Sequence, residues 1–386
     1  MPKKKNTRAS NGMGSVRQRK DGRWEARYTT PDGRQRSVYA QTEKEVTAKL
    51  RGQLHMLDSG AWREPSKMTV SEWLDIWVAD YCTHTTASTR VTYERILRVH
   101  FKPAIGNVKL SKLSPVHVRR AINDMQRAGK ATKTIYTARG VLRAALNAAV
   151  HSGLINSNPS NGVPVARVQR PEMHIIDRPM FPAFIDAAHE TPYPEALILL
   201  LQTGMRSGEL RGLEWDDIDE ANRIIHIRRQ LHTWSRGEAT FDAPKEGKGR
   251  DIIVGPEVIE TIRAQRKRLA EMQLKAKDWY NGPEVKNLVF RAPTGKQLHD
   301  RALLEAVYHV GEALNIPKLH THDLRHSYAV AALRSGADVK TVQHNLGHAT
   351  AAMTLDTYAA YTTDAGQVAA EKLSDYWQNA TKKGQN

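Results

Sequence analysis

Six side chains in the C-terminal half of the chain are of types that can move a phosphoryl group. Arg206 and Glu209 lie three residues apart in TGMRSGEL over 203–210, and that spacing puts them on one helix face. Lys245 follows in PKEGKGR over 244–250. His322 and Arg325 share HDLRHSY over 322–328, His348 closes NLGH over 345–348, and Tyr358 ends MTLDTY over 353–358, ten residues past His348. Two arginines, a lysine, two histidines and a tyrosine suit phosphodiester transfer without a metal. The pentavalent transition state gathers negative charge on non-bridging oxygens, which two guanidinium forks can neutralise and orient. A tyrosine hydroxyl is a competent nucleophile once deprotonated. The departing deoxyribose oxygen needs a proton, and a lysine or histidine can supply it. Glu209 is the supporting group, a carboxylate that fixes Arg206.

Singly, these pieces say little, because Arg-x-x-Glu is usually a surface ion pair and Trp215 and Leu213 beside it read as core. Their joint presence in order carries the argument. Two positions have rivals: Lys248 lies in the same turn as Lys245, and Tyr361 follows Tyr358 by less than one helical turn. His322 with His326, and His344 with His348, have the i, i+4 spacing of zinc ligands. Neither pair carries the His-Glu-x-x-His pattern, so no metal and no cofactor is expected.

These residues need elements to hold them. The sequence predicts helices near 180–190, 194–204, 207–213, 256–276, 299–314, 322–335, 338–345 and 352–360, a strand over 224–228, and a hairpin over 241–254. A last helix is predicted over 364–380. Upstream, helices near 87–100, 115–127 and 132–151 follow one opening at Thr69, with Trp73 and Trp77 as core. Before them, strands within 15–40, broken at Asp21-Gly22 and Pro31-Asp32-Gly33, precede a helix opened by Thr42 and Glu45. The fold class is multidomain. Residues 1–62 form a small α+β module, a three-stranded sheet plus one helix. Residues 67–165 form an all-α domain, and residues 172–386 a mainly α domain with a small β-sheet.

Charge points to the partner. Of 386 residues, 58 are Lys or Arg against 41 Asp or Glu, a net charge of +17, which favours a polyanion. Residues 1–65 hold 15 basic and 7 acidic side chains, an excess of 8. Arg17, Arg19, Lys20, Arg23, Arg27, Arg34 and Arg36 alternate there with Trp24 and Tyr28 on the predicted strands, a DNA-binding surface able to enter a major groove. The longest apolar run, over 196–201, is far short of the ~20 residues that span a bilayer, and no apolar stretch follows Lys3, Lys4 and Lys5. One cysteine, Cys82, excludes an intrachain disulfide. The chain therefore reads as soluble and cytoplasmic, associated with the nucleoid in a bacterium.

Over 203–358 the chain resembles the tyrosine recombinases. Arg206, Lys245, His322, Arg325, His348 and Tyr358 fall on that family's catalytic pattern in its order, and Glu209 on its supporting acidic position. The resemblance implies that Tyr358 attacks the phosphate to give a 3′-phosphotyrosine, with Arg206 and Arg325 on the non-bridging oxygens and Lys245 as acid. The helical block resembles the family's core-binding domain. The basic module resembles the arm-binding domain of lambda-type and conjugative-transposon integrases. The implied function is site-specific recombination for a phage or mobile element through a Holliday junction. The implied partners are double-stranded attachment sites of core and arm type, a homotetramer on synapsed DNA exchanging C-terminal helices, and an excisionase or DNA-bending accessory protein. A type IB topoisomerase would share the chemistry, but would relax supercoils lacking any attachment site. A non-catalytic regulator would have no use for the nucleophile.

Overall fold

A computed structural model describes residues 14–59, 67–168, 173–233, 239–244 and 249–358, with 370, 373 and 374. It divides into two compact units, Met1–Arg170 and Pro171–Asn386.

In the first unit, β1 (Ser15–Gln18), β2 (Trp24–Thr29) and β3 (Gln35–Ala40) form an antiparallel meander with β2 at its centre. Side chains alternate across a sheet. Ala26 and Tyr28 therefore face α1 (Glu43–Asp58) and pack with its Val46 and Leu50. Glu25 and Arg27 take the opposite face. Thr42 caps α1 by accepting from the Glu45 amide at 3.3 Å, as its sequence predicts.

The helical block begins at α2 (Val70–Ile76), whose Thr69 and Glu72 cap each other's backbone amides. A wide turn, Trp77–Tyr81, prolongs it. α3 (Ala87–Ile96) is prolonged likewise by Leu97–Phe101, and α4 (Lys102–Ile105), α5 (Pro115–Arg127) and α6 (Thr132–His151) complete the block. Trp73 and Trp77 are core, as expected. The Trp73 indole donates to the Ala145 carbonyl of α6 at 2.9 Å, so its one polar atom is satisfied on burial.

The second unit packs α7 (Phe181–His189), α8 (Pro194–Thr203) and the short α9 (Ser207–Arg211) with α10 (Pro256–Lys275), α11 (Asp300–Ala313) and α12 (Thr321–Arg334). α13 (Val339–Leu346) and α14 (Ala351–Tyr358) follow. The sequence reading places these helices to within a few residues. It places the strand expected over 224–228 and misreads the hairpin expected over 241–254. β7 (Ala239–Asp242) and β8 (Arg250–Ile253) do not pair as a hairpin. β8 joins β4 (Ile218–Asp219) and β5 (Ile224–Ile227) in the order β4-β5-β8, while β7 pairs with the unforeseen β6 (Gln230–Thr233). Burial decides this: Ile225, Ile227 and Ile252 enter one core, and only pairing β8 on β5 puts all three inside. Leu213 is buried as expected. Trp215 is partly buried, with the Arg266 guanidinium 4.6 Å above its ring. The C-terminal helix expected over 364–380 lies outside the described residues except at 370, 373 and 374.

Replacing Trp73 by Ala removes a fully packed ring and its hydrogen bond. A loss of about 3–5 kcal/mol is expected, read as a lowered urea midpoint. An unchanged midpoint would contradict the packing.

Candidate active site

The site is assembled from two left-handed turns and one buried carboxylate. α8 ends at Gly204 with φ 65°, and α13 ends at Gly347 with φ 60°. Gly204 has a second reason to lack a side chain, since a Cβ there would lie 2.3 Å from the Tyr328 ring. These turns aim their carbonyls inward. Arg325, 1% exposed on α12, donates to the Gly204 carbonyl at 2.8 Å and to the Leu346 carbonyl at 2.5 Å. Arg206 donates to the neighbouring Gly347 carbonyl at 2.9 Å. Two guanidinium groups from helices distant in sequence thus meet at adjacent carbonyls.

Glu209 supplies the counter-charge. Its carboxylate accepts from the Arg206 amide at 2.8 Å and from Arg206 Nη1 at 2.8 Å, so Arg206 forms the N-cap of α9 and is held at both ends. Arg250 of β8 completes the arrangement with a bidentate pair, Nη1 to Oε1 at 2.9 Å and Nη2 to Oε2 at 2.7 Å. Its Nε donates to the Asn345 carbonyl at 2.7 Å. Burial alone would raise the Glu209 pKa. The hydrogen bond and charge of Arg250, then the Arg206 amide and charge, outweigh it and hold the pKa at about 2.

His322 lies one turn before Arg325 on α12, its ring edge-on to His326 with centroids 4.6 Å apart. His348 follows Gly347, and its Nδ1 bonds the Thr354 hydroxyl of α14 at 3.0 Å. That bond ties the residue after the turn to the helix that ends at Tyr358. Desolvation, then neighbouring positive charge that includes Arg325 in each case, lowers His322, His326 and His348 to about 4. Both His322 and His348 feel Arg206 as well as Arg325, which places the four in one electrostatic cluster. His322 keeps an exposed edge, so an incoming anion can reach it. His344 turns away and bonds the Asp251 carbonyl at 2.9 Å. Among the described residues no group of three or more His, Cys, Asp or Glu could hold a metal.

The structure thus brings together Arg206, Glu209, His322, Arg325 and His348. Tyr358 is placed by its backbone as the last residue of α14, and its side chain lies outside what is described. Lys245, its rival Lys248, and Tyr361 also lie outside the described residues. Sequence reasoning missed Arg250, Gln343 and Thr354. Gln343 holds the His348 carbonyl at 3.0 Å. For Arg250 a signal existed: it alternates with Ile252 on a strand whose burial runs inward at both, and an inward arginine requires a carboxylate partner.

The N-terminal basic residues divide. Arg17 and Arg27 share the outward sheet face with Glu25, and the Arg19 guanidinium stands 5.5 Å over the Tyr39 ring. Lys20 and Arg23 sit at the β1–β2 turn, where Asp21 pairs with Arg23 at 2.7 Å. Arg34 sits at the next turn beside Asp32. Arg36 stands opposite Tyr28, on the face that packs α1, and is not gathered with the others.

Residues 179–364 match the model of the phage integrase family, and residues 69–126 match that of the phage integrase N-terminal SAM-like domain. The chain belongs to the phage integrase family. It is a tyrosine recombinase, a site-specific enzyme that breaks and rejoins DNA strands. A tyrosine recombinase XerC-like protein of Caldanaerobacter subterraneus subsp. tengcongensis is 26% identical over 359 residues, covering 88% of this chain and 91% of its own. The fold is similar to the Tn1549 transposon integrase solved with circular-intermediate DNA, with TM-score 0.67, 22% identity, and 79% of this chain and 99% of that one covered. It is also similar to a lambda integrase dimer bound to a core site, with TM-score 0.57, 16% identity, and coverage of 94% and 97%. The second likeness spans the N-terminal sheet as well as the mainly helical catalytic region. Among the described residues no helix is long and apolar enough to cross a membrane.

Two outcomes follow from this integrase's site. Arg250→Ala leaves a buried carboxylate with one guanidinium partner, and a stability loss of about 3–5 kcal/mol is expected; an unchanged urea midpoint would contradict the pairing. Stability should also fall in two successive pH windows. The three histidines bind fewer protons folded than unfolded, so their contribution is lost as pH drops from about 6.5 to about 4. Glu209, depressed from 4.5 to about 2, loses its contribution as pH falls from about 4.5 to about 2. Thermal unfolding of wild type and His348→Gln at stepped pH checks this: the variant should show the shallower decline between pH 6.5 and 4, and identical slopes would contradict it.

Proposed function

We propose that this integrase cuts each DNA strand by in-line attack of the Tyr358 oxygen on the scissile phosphorus. A 3′-phosphotyrosine bond forms, the bond to the 5′ oxygen breaks, and Lys245 delivers a proton to that oxygen. Arg206 and Arg325 take the non-bridging oxygens, exchanging carbonyl partners for phosphate. His322 and His348, neutral before DNA arrives, accept or donate hydrogen bonds as the phosphate's charge raises their pKa. The bond energy stays in the phosphotyrosine link, so rejoining is the reverse attack by a 5′ hydroxyl and needs no external energy source. One observation carries this reading. Adjacent carbonyls of a single turn hold both arginines, and the helix ending at Tyr358 is bonded to the histidine that follows that turn.

The division of labour proposed is threefold. Residues 1–62 bind arm-type DNA, 67–165 bind core-type DNA, and 172–386 perform catalysis, with 364–380 exchanged between protomers. Four protomers on two synapsed attachment sites pass through a Holliday junction. An excisionase or a DNA-bending protein sets direction, and the work is done at the bacterial nucleoid. The arm module favours a phage or mobile-element integrase, and the net charge of +17 supports contact with many phosphates. Binding should weaken with salt at a slope of roughly 0.9 per phosphate neutralised.

Suicide-substrate trapping tests the chemistry. Nicked duplexes drawn from the junctions flanking the gene are incubated with wild type, Tyr358→Phe and Tyr361→Phe without added metal. A denaturing gel should show a covalent adduct for wild type and Tyr361→Phe and none for Tyr358→Phe. An adduct that persists in Tyr358→Phe would overturn the assignment.

A further inference from the structure

The outward face of the N-terminal sheet carries a carboxylate where simple solvation asks for none. Glu25, the second residue of the central strand β2, is 2% exposed. Arg17 Nε donates to its Oε2 at 2.7 Å and Arg17 Nη2 lies 2.6 Å from the same oxygen. Arg27 Nε donates to Oε1 at 3.2 Å, and the Ser37 and Tyr39 hydroxyls donate to Oε1 at 2.9 and 3.3 Å. All three strands therefore contribute to one acid. Yet both arginines keep much of their surface in solvent, at 55% for Arg17 and 41% for Arg27. The bonds engage the Nε–Nη2 edge of Arg17 and the Nε of Arg27. Holding a planar guanidinium by that edge fixes the direction of its remaining Nη hydrogens.

Backbone phosphate contacts position a protein on DNA without carrying sequence information, whereas reading a base edge requires donors of fixed direction. A fixed pair of Nη hydrogens matches the two acceptors on the major-groove edge of guanine, O6 and N7. The register sets the spacing. Arg17 stands opposite Glu25, and Arg27 opposite Ser15, so the arginines are diagonal neighbours, about 7–8 Å apart at the backbone. That is roughly two base steps at about 3.4 Å each. Three strands about 4.8 Å apart span about 10 Å, which fits a major groove about 12 Å wide.

We propose that Arg17 and Arg27 read two guanines about two base steps apart in the arm-type site, with Glu25 as the positioning residue that orients both. The proposal rests on the reading of residues 1–62 as an arm-binding module and adds what that module recognises. Ser37 and Tyr39 complete the support of Glu25, and Arg34 and Lys20 at the turns are left to contact phosphates.

The test is selection of random-sequence duplexes by the full-length protein. Wild type, Arg17→Ala, Arg27→Ala and Glu25→Gln are compared after thermal unfolding shows that each is folded. Wild type should enrich two motifs, one of core type and one containing two guanines. Each arginine variant should lose preference at one guanine, with affinity for that motif down about 10- to 100-fold. Glu25→Gln, which keeps the shape, should blur both guanine positions while the core motif stays intact. If the arginine variants weaken binding evenly across sequences and lower the salt slope by about 0.9 each, they are phosphate contacts. The proposal then fails while the arm-binding reading stands. If wild type enriches one motif alone and removal of either arginine leaves it unchanged, the arm-binding reading fails, and the proposal with it.

Discussion

The candidate active site depends on one carboxylate shared by two arginines. Glu209 is 1% exposed and would be costly as an isolated charge. Arg250 grips it in a bidentate pair, and Arg206 caps onto it through both backbone and side chain. Without that acid, three arginines would be drawn together with no counter-charge. With it, Arg206 is fixed at the start of α9, and Arg250 anchors the carbonyl of Asn345, the residue two before Gly347. The turn at Gly347 then presents its carbonyls to Arg206 and Arg325. Donors held in this way are already oriented, which is how a polar site stabilises developing charge without reorganising.

The same concentration of positive charge explains the histidines. His322, His326 and His348 sit among guanidinium groups, and desolvation together with those charges keeps them neutral well below their ordinary range. Neutral imidazoles limit the net charge of the site. The His348–Thr354 bond carries the arrangement onward to α14, so the turn that orients the arginines also anchors the helix ending at Tyr358. The N-terminal sheet repeats the device on a smaller scale, where Glu25 gathers Arg17 and Arg27. In both places an acid on a basic surface fixes direction rather than adding net attraction.

Much of this was legible in the sequence because it was local. Arg206 with Glu209, and His322 with Arg325, are three apart, and helix geometry alone puts each pair on one face. The helices expected over 194–204 and 338–345 end within two residues of the turns at Gly204 and Gly347. What was not legible was non-local. β8 was read as the partner of β7 because they are neighbours in sequence, whereas the core positions of Ile225, Ile227 and Ile252 pair it with β5. Arg250 escaped notice for the same reason, since its partner lies 41 residues earlier and no short motif contains both. Arg36 was grouped with the other N-terminal arginines by charge, but the strand register turns it to the α1 face. Burial of Glu25 could not be inferred from its neighbours in the chain, because its donors come from three strands.

The central claim is that Glu209 acts through the arginine it holds. A double-mutant cycle measures this most directly. Single-turnover rates of covalent adduct formation on a nicked core site are compared for wild type, Glu209→Gln, Arg206→Ala and the double variant, at a temperature where circular dichroism shows all four folded. Arg206→Ala should slow the reaction about 10²–10³-fold, the range for losing one preorganised donor. Glu209→Gln should then add less than its effect alone, because the part that runs through Arg206 is already gone and only the part through Arg250 is left. A double variant slowed by the full product of the two single effects would show that the carboxylate works independently of Arg206, and would contradict the account.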